Sequence, residues 1–373
     1  MPSSAIFARG TLLAVPAARI ASTCRIPRSV FRRAGSLAFL CLLAAPTCKP
    51  RPRVRASLPA SVCEGPGSSA TAAWLAANAP LAHAARDRAR AWLDKITLDV
   101  RDLDRNGIPG KRKLGELLGA YVDLYQTANV PDRAAIRARL ESIAAITAEP
   151  WYHDMGRVDD ATFKRDSTSY LRIAVVMERA GLDTTFYRKQ IQGIHQRLNQ
   201  NMPTRGIHQQ MVFHNYYQHF GLKEPYRLLE AATAGVIPKR LSPYKLTQNE
   251  VYDLMHEVGA RYEREDKPPE GAFLVADLAY LRWALDRLTV RYLMADNRDL
   301  VGELAISMAY LGFIDLAVFR EAMDNLLQSE NPDGSWGAYE EARATYGARL
   351  DVAMYLHTTA IVVRALAITF AEI

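Results

Sequence analysis

The chain has 373 residues, 49% of them hydrophobic and 23% charged, with a formal net charge of +7. The excess sits at one end: residues 1–73 hold ten Lys or Arg and one acid, Glu64, which leaves 37 basic and 39 acidic residues from position 74 onward, a balance of −2. A body with that balance lacks the basic face that nucleic-acid binding requires, so no nucleic-acid partner is expected, and at about 300 residues it can bury a core without disulfide staples.

In chain order, residues 1–48 read as a leader. Arg32-Arg33 precedes the apolar core Gly35 to Ala45 (GSLAFLCLLAA), and Pro46-Thr47-Cys48 follows it, the three-part layout of an export signal. The core is too short to span a bilayer. A Cys directly after such a core resembles a bacterial lipoprotein signal. That resemblance implies lipidation at Cys48, a membrane anchor through that lipid, and a periplasmic or cell-surface protein. Cleavage near Ala44 and plain secretion is the competing reading. Residues 49–73, rich in Pro, Ser and Ala, read as a flexible tether. All four cysteines, Cys24, Cys41, Cys48 and Cys63, lie in these two segments, so the body has no thiol nucleophile and no Cys metal ligand.

The body, residues 74–373, reads as helical throughout. Asp102-Leu-Asp104-Arg-Asn106-Gly107 has the start of a calcium loop, but the twelfth position is Lys113, where a bidentate carboxylate is needed. The segment is expected to be a turn into a helix over Lys113 to Gln126. Further on, Val175 to Leu182 (VVMERAGL) matches Ile306 to Phe313 (ISMAYLGF) at an offset of 131, and the match continues after a one-residue slip with Tyr187-Arg188 against Phe319-Arg320. The repeated unit is an apolar helix, a Gly turn, an amphipathic helix and a Pro/Gly loop. Asp277 to Asp296 places Leu278, Leu281, Leu285, Leu288 and Tyr292 at helical spacing with charges elsewhere on the wheel.

Near the end, Leu326 to Gly337 (LLQSENPDGSWG) precedes a helix whose last eleven residues, Ala360 to Phe370, carry one charge, Arg364. A helix apolar on all sides must be enclosed by lipid or by other helices, and eleven residues are too few to cross a membrane. The Gln328 to Trp336 segment with its Pro-Asp-Gly turn, followed by that helix, resembles the repeat unit of α/α-toroid proteins, the terpenoid-cyclase and prenyltransferase-like helical barrels. The resemblance implies an all-α single domain of about six helical hairpins, an inner ring of apolar helices enclosed by an outer amphipathic ring. Asp333-Gly334 is expected as a tight turn, with Trp336 packed between hairpins.

Candidate chemistry gathers in Arg205 to Phe220 (RGIHQQMVFHNYYQHF), which holds three of the eight histidines. His214, Tyr217, His256 and His357 are the candidate catalytic residues, expected to face one cavity. Arg205, His208, Asn215 and Trp336 are the candidate binding residues. His208 and His219 are about 16 Å apart along a helix, too far to chelate one ion. The His-Glu-x-x-His zinc pattern is also absent, because His256-Glu257 is followed at the needed position by Ala260. No cofactor is expected, and a divalent metal would need ligands brought together from several helices. The acidic Asp-x-Asp-Asp run of alkene-protonating cyclases is absent as well. By residue type, His214-Asn215-Tyr216-Tyr217 with Arg205 resembles the base, acid and neutraliser sets of toroid polysaccharide lyases. Two functions stay open: a tethered scaffold binding a peptide, glycan or protein partner in the toroid mouth, and an extracellular enzyme, lyase-like or a metal-dependent hydrolase, using the polar residues there. A scaffold needs an apolar or aromatic groove. An enzyme needs His, Tyr, Arg and a carboxylate converging.

Overall fold

A computed structural model describes residues 67–262, 272–340, 343–344, 347 and 350–370. The leader with Cys48, and the tether up to position 66, lie outside the described residues. Those described are helical, with no strand among them. The first helix, α1 (Gly67–Leu93), takes in the last seven positions of the expected tether. Thr71 is buried there and accepts a hydrogen bond from Arg320, so the folded body starts earlier than composition suggests.

After α1 come α2 (Val100–Arg105), α3 (Gly110–Thr127), α4 (Val130–Ala144), α5 (Asp160–Arg179), α6 (Thr185–Gly193), α7 (His195–Asn201), α8 (Ile207–Phe220), α9 (Val236–Lys239), α10 (Gln248–Arg261), α11 (Val275–Met294), α12 (Arg298–Tyr310), α13 (Ala317–Gln328) and α14 (Leu356–Thr369). Side chains cap the starts: Asp99, Asn129, Asp159 and Asn297 each accept a backbone N–H of the first turn, and Thr247 forms a capping box with Glu250. The calcium-like segment is helix α2 with its turn. Asp104 Oδ1 accepts the Gly110 N–H at 2.9 Å rather than facing an ion.

Six helices pack in a circuit. α3 packs on α5, α5 on α8, α8 on α10, α10 on α12 and α12 on α14, and α14 packs back on α3. The others pack onto its members or onto one another: α4 on α3, α6 on α5 and α8, α9 on α10, α11 and α13 on α12, and α1 on α13 and α14. The internal repeat maps onto this alternation. Its two copies are α5 with α6 and α12 with α13. In each, the circuit helix ends in the same cap. Gly181 and Gly312 take positive φ (67° and 72°), and the next residue's N–H reaches back five positions, Leu182 to the Met177 carbonyl and Phe313 to that of Met308. Gly221 closes α8 in the same way, with Leu222 bonding the Tyr217 carbonyl.

Residues Asp351–Thr369 would pass for a membrane span by length and composition. Their apolar character is explained by neighbours, since α14 touches α3, α12 and α1. The preceding turn is tight as expected. Gly334 adopts φ 90° against the Arg88 carbonyl of α1, where a Cβ would stand 2.4 Å from that oxygen. Trp336 is fully buried.

Candidate functional site

The polar residues of the circuit helices converge. On α3, Glu116 is buried and accepts hydrogen bonds from Lys113 Nζ at 2.8 Å and Arg112 Nε at 2.9 Å. On α14, His357 bridges two carboxylates: Nδ1 lies 3.2 Å from Glu116 Oε1 and Nε2 lies 3.3 Å from Asp299 Oδ1 of α12. The other Asp299 oxygen accepts the Tyr252 hydroxyl of α10 at 2.6 Å. One turn beyond Tyr252, His256 stacks on His208 of α8 with ring centroids 5.1 Å apart. His208 Nδ1 is in turn 2.7 Å from Asp253 Oδ1. Arg172 of α5 and Glu303 of α12 complete the set, both close enough to act electrostatically on the others.

The surroundings separate the protonation states of these groups. Burial, reinforced by the positive charge of His208, Arg112, Arg172 and His357, pushes the His256 imidazole down to about 4. His256 nonetheless keeps exposed surface. Burial works against charge on His357 too, but the hydrogen bond to Glu116 and the fields of Glu116, Asp299 and Glu303 outweigh it and raise its pKa. Burial likewise opposes ionisation of Glu116, yet His357, Lys113 and Arg112 hold it well below the usual carboxylate range. Glu303 moves the other way, raised by burial and by Asp299. The cluster thus combines an imidazole with a raised pKa, one with a lowered pKa, a carboxylate held low and a carboxyl pushed up, the kind of separation that divides acid from base roles.

Of the residues expected from sequence, His208, His256 and His357 belong to this cluster. His214 and Tyr217 do not. His214 Nδ1 meets Glu224 at 2.5 Å, and the buried Tyr217 donates to Asn199 Oδ1 at 2.6 Å on α7. Their partners lie on α7 and on the segment that follows α8, away from the face of α8 that carries His208. Arg205 is buried, bonded to Ser167 and Thr168 and stacked over Phe213. It joins α8 to α5. Asn215 donates to the Ala260 carbonyl at 2.6 Å, tying α8 to α10. Trp336 is sealed in the core, its Nε1 donating to the Leu326 carbonyl at 2.7 Å and its backbone N–H to Thr359 Oγ1 at 3.0 Å, so it packs rather than meeting a ligand. Glu257, beside His256, is also structural: its carboxylate accepts the Val236 and Ile237 N–H groups.

Sequence reading missed Arg112, Glu116, Arg172, Tyr252, Asp253, Asp299 and Glu303. A signal for two of them was present. Arg172 in YLRIAVVM and Glu303 in LVGELAISMA are lone charges in otherwise apolar stretches, the positions where a polar group must face a cavity or a partner. Among the described residues no group of three or more His, Cys, Asp or Glu has the arrangement of a metal site. A separate hollow of about 130 Å3 between α1 and α13, lined by Asn78, Leu81, Arg88, Asp324, Leu327 and Gln328, contains no imidazole and lies outside the circuit.

The family described as Domain of unknown function (DUF6895) matches residues 68–367. The chain belongs to that family. The match begins within α1 and ends within α14, so the whole helical body is the family's unit and the leader falls outside it. No curated protein and no solved structure matches the chain.

Proposed function

We propose that the six-helix circuit is an α/α toroid and that the chain is an exported enzyme performing general acid–base chemistry on a glycan in its mouth. The observation that carries this reading is the convergence of His208, His256, His357, Tyr252, Asp299, Glu303 and Arg172 from five helices onto one recess, with pKa values pushed apart. Alternation along the chain between circuit and outer helices supports the toroid. A scaffold would be expected to line its mouth with apolar or aromatic side chains, whereas this lining hydrogen-bonds, which suits a hydroxyl-rich substrate. His256, neutral above about pH 4, is the proton acceptor. His357 and Glu303, both with raised pKa, are the proton donors of this reading, and Asp299 and Glu116 hold His357 in place. Arg32 to Cys48 supports export, with anchoring through a lipid on Cys48.

The test incubates the purified protein with soluble neutral and uronate-containing polysaccharides. New reducing ends report hydrolysis, and ultraviolet absorbance of unsaturated sugars reports elimination. His256→Ala and Glu303→Gln should each lower the rate by about 100-fold or more. Substrate binding with neither product from the wild type would return the protein to the scaffold reading.

A further inference from the structure

The basic side chains of the recess have partners almost throughout. Arg112 and Lys113 bond Glu116, His357 lies between Glu116 and Asp299, and His208 pairs with Asp253. Further along α14, Arg364 donates from Nε to the Tyr310 hydroxyl at 3.0 Å. Arg172 breaks the pattern. Among the described residues it makes no hydrogen bond and no ion pair, although it stands among these groups and its side chain has exposed surface. On the facing helix α3 the position beside its guanidinium is Gly119, where even a Cβ would come within 3.5 Å of Nη2. The chain therefore leaves a planar fork of donors without an acceptor, with no side chain opposite to fill the space.

Such a fork matches the two oxygens of an oxyanion, bonding both at once. Open to solvent on one side and without a partner among the described residues, the guanidinium is accessible to an anionic ligand. Its neighbours do not compete for the role. His256 carries no charge in the neutral range, and the pKa of Glu303 is raised by burial even with the Arg172 charge acting on it. Resting on the acid–base reading of this recess, we propose that the substrate carries a carboxylate or phosphate group and that Arg172 binds it, fixing the substrate against His256 and Glu303.

Isothermal titration of the full chain with galacturonate, inorganic phosphate and galactose separates the possibilities. Saturable binding of galacturonate alone identifies a carboxylate site, and binding of phosphate alone a phosphate site. Arg172→Gln should weaken that binding at least tenfold, Arg172→Lys should restore it only in part because the fork is lost, and Gly119→Met should weaken it by filling the space while leaving the charge. Arg88→Gln, on the outer face of α1, should bind as the wild type does. Circular dichroism of each variant checks folding, and Gly119→Met serves if Arg172→Gln does not fold. Galactose bound as tightly as either anion, no binding of either, or undiminished binding by both Arg172→Gln and Gly119→Met would overturn the proposal. Anion binding without turnover of any polysaccharide would sink the enzyme reading and leave the oxyanion site standing. Turnover that Arg172→Gln leaves untouched would do the reverse.

Discussion

Two histidines in one recess are driven in opposite directions, and this sets the pH dependence. His357 has a folded pKa above the ordinary 6.5, so its contribution to stability is complete below about 6.5 and is lost as pH rises through the folded value. His256 has a folded value near 4. Because the unfolded chain takes up that proton first, stability falls as pH drops from 6.5 toward 4. The melting-temperature advantage of the wild type over His357→Gln should therefore shrink with rising pH, and His256→Gln should flatten the acid side of the stability curve. Parallel curves for wild type and both variants would contradict the assignments. Trp336 provides a test of packing alone. It is fully enclosed and bonded at both N–H groups, so Trp336→Ala should cost about 3–5 kcal/mol in urea unfolding.

At the scale of elements, close approach of circuit helices depends on small residues. A Cβ on Gly302 of α12 would lie 2.7 Å from Ile361 Cγ2 of α14, so Gly302→Leu must push the two helices apart. A loss of about 1–3 kcal/mol is expected from such overpacking, with weaker binding at the recess because Asp299 and His357 ride on the two helices displaced. Gly302→Leu combined with Ile361→Ala should recover part of the loss, and no recovery would mean the contact is not the cause. The helix type and the repeated Gly caps could be read from sequence, because each is a local property: Gly181 and Gly312 sit where a chain must enter the left-handed region. The three histidines could be read because the residue is rare. Glu116, Asp253 and Asp299 could not, since a carboxylate at helical spacing looks the same whether it faces solvent or a circuit of helices. His214 and Tyr217 were misplaced for the same reason. Their three-residue spacing fixes a shared side of α8 but not which neighbour that side meets.

For the whole molecule, charge separates an uneven leader from a nearly balanced body, and the family unit coincides with that body. If Cys48 is the lipid attachment point, Cys48→Ser should shift the protein from the membrane fraction to a soluble or unprocessed form. Unchanged fractionation would remove the lipid anchor and leave plain secretion. Loss of the anchor should leave the melting temperature of the body unchanged, because the family unit begins at residue 68.

The packing of α14 against α3 has a consequence for the order of events during synthesis. Glu116 and His357 meet although 241 positions separate them, and of the described helices α14 is the last to leave the ribosome. Until it does, the imidazole that lies between Glu116 and Asp299 is missing, and Asp299 keeps only the Tyr252 hydroxyl as its partner. A nascent chain still lacking α14 lacks one imidazole of the recess, and the contacts that complete it are the slowest kind to form. A protein threaded unfolded through a translocon would assemble its chemistry only on the far side. The late closure of the circuit would then keep the acid–base groups silent in the compartment where the chain is made.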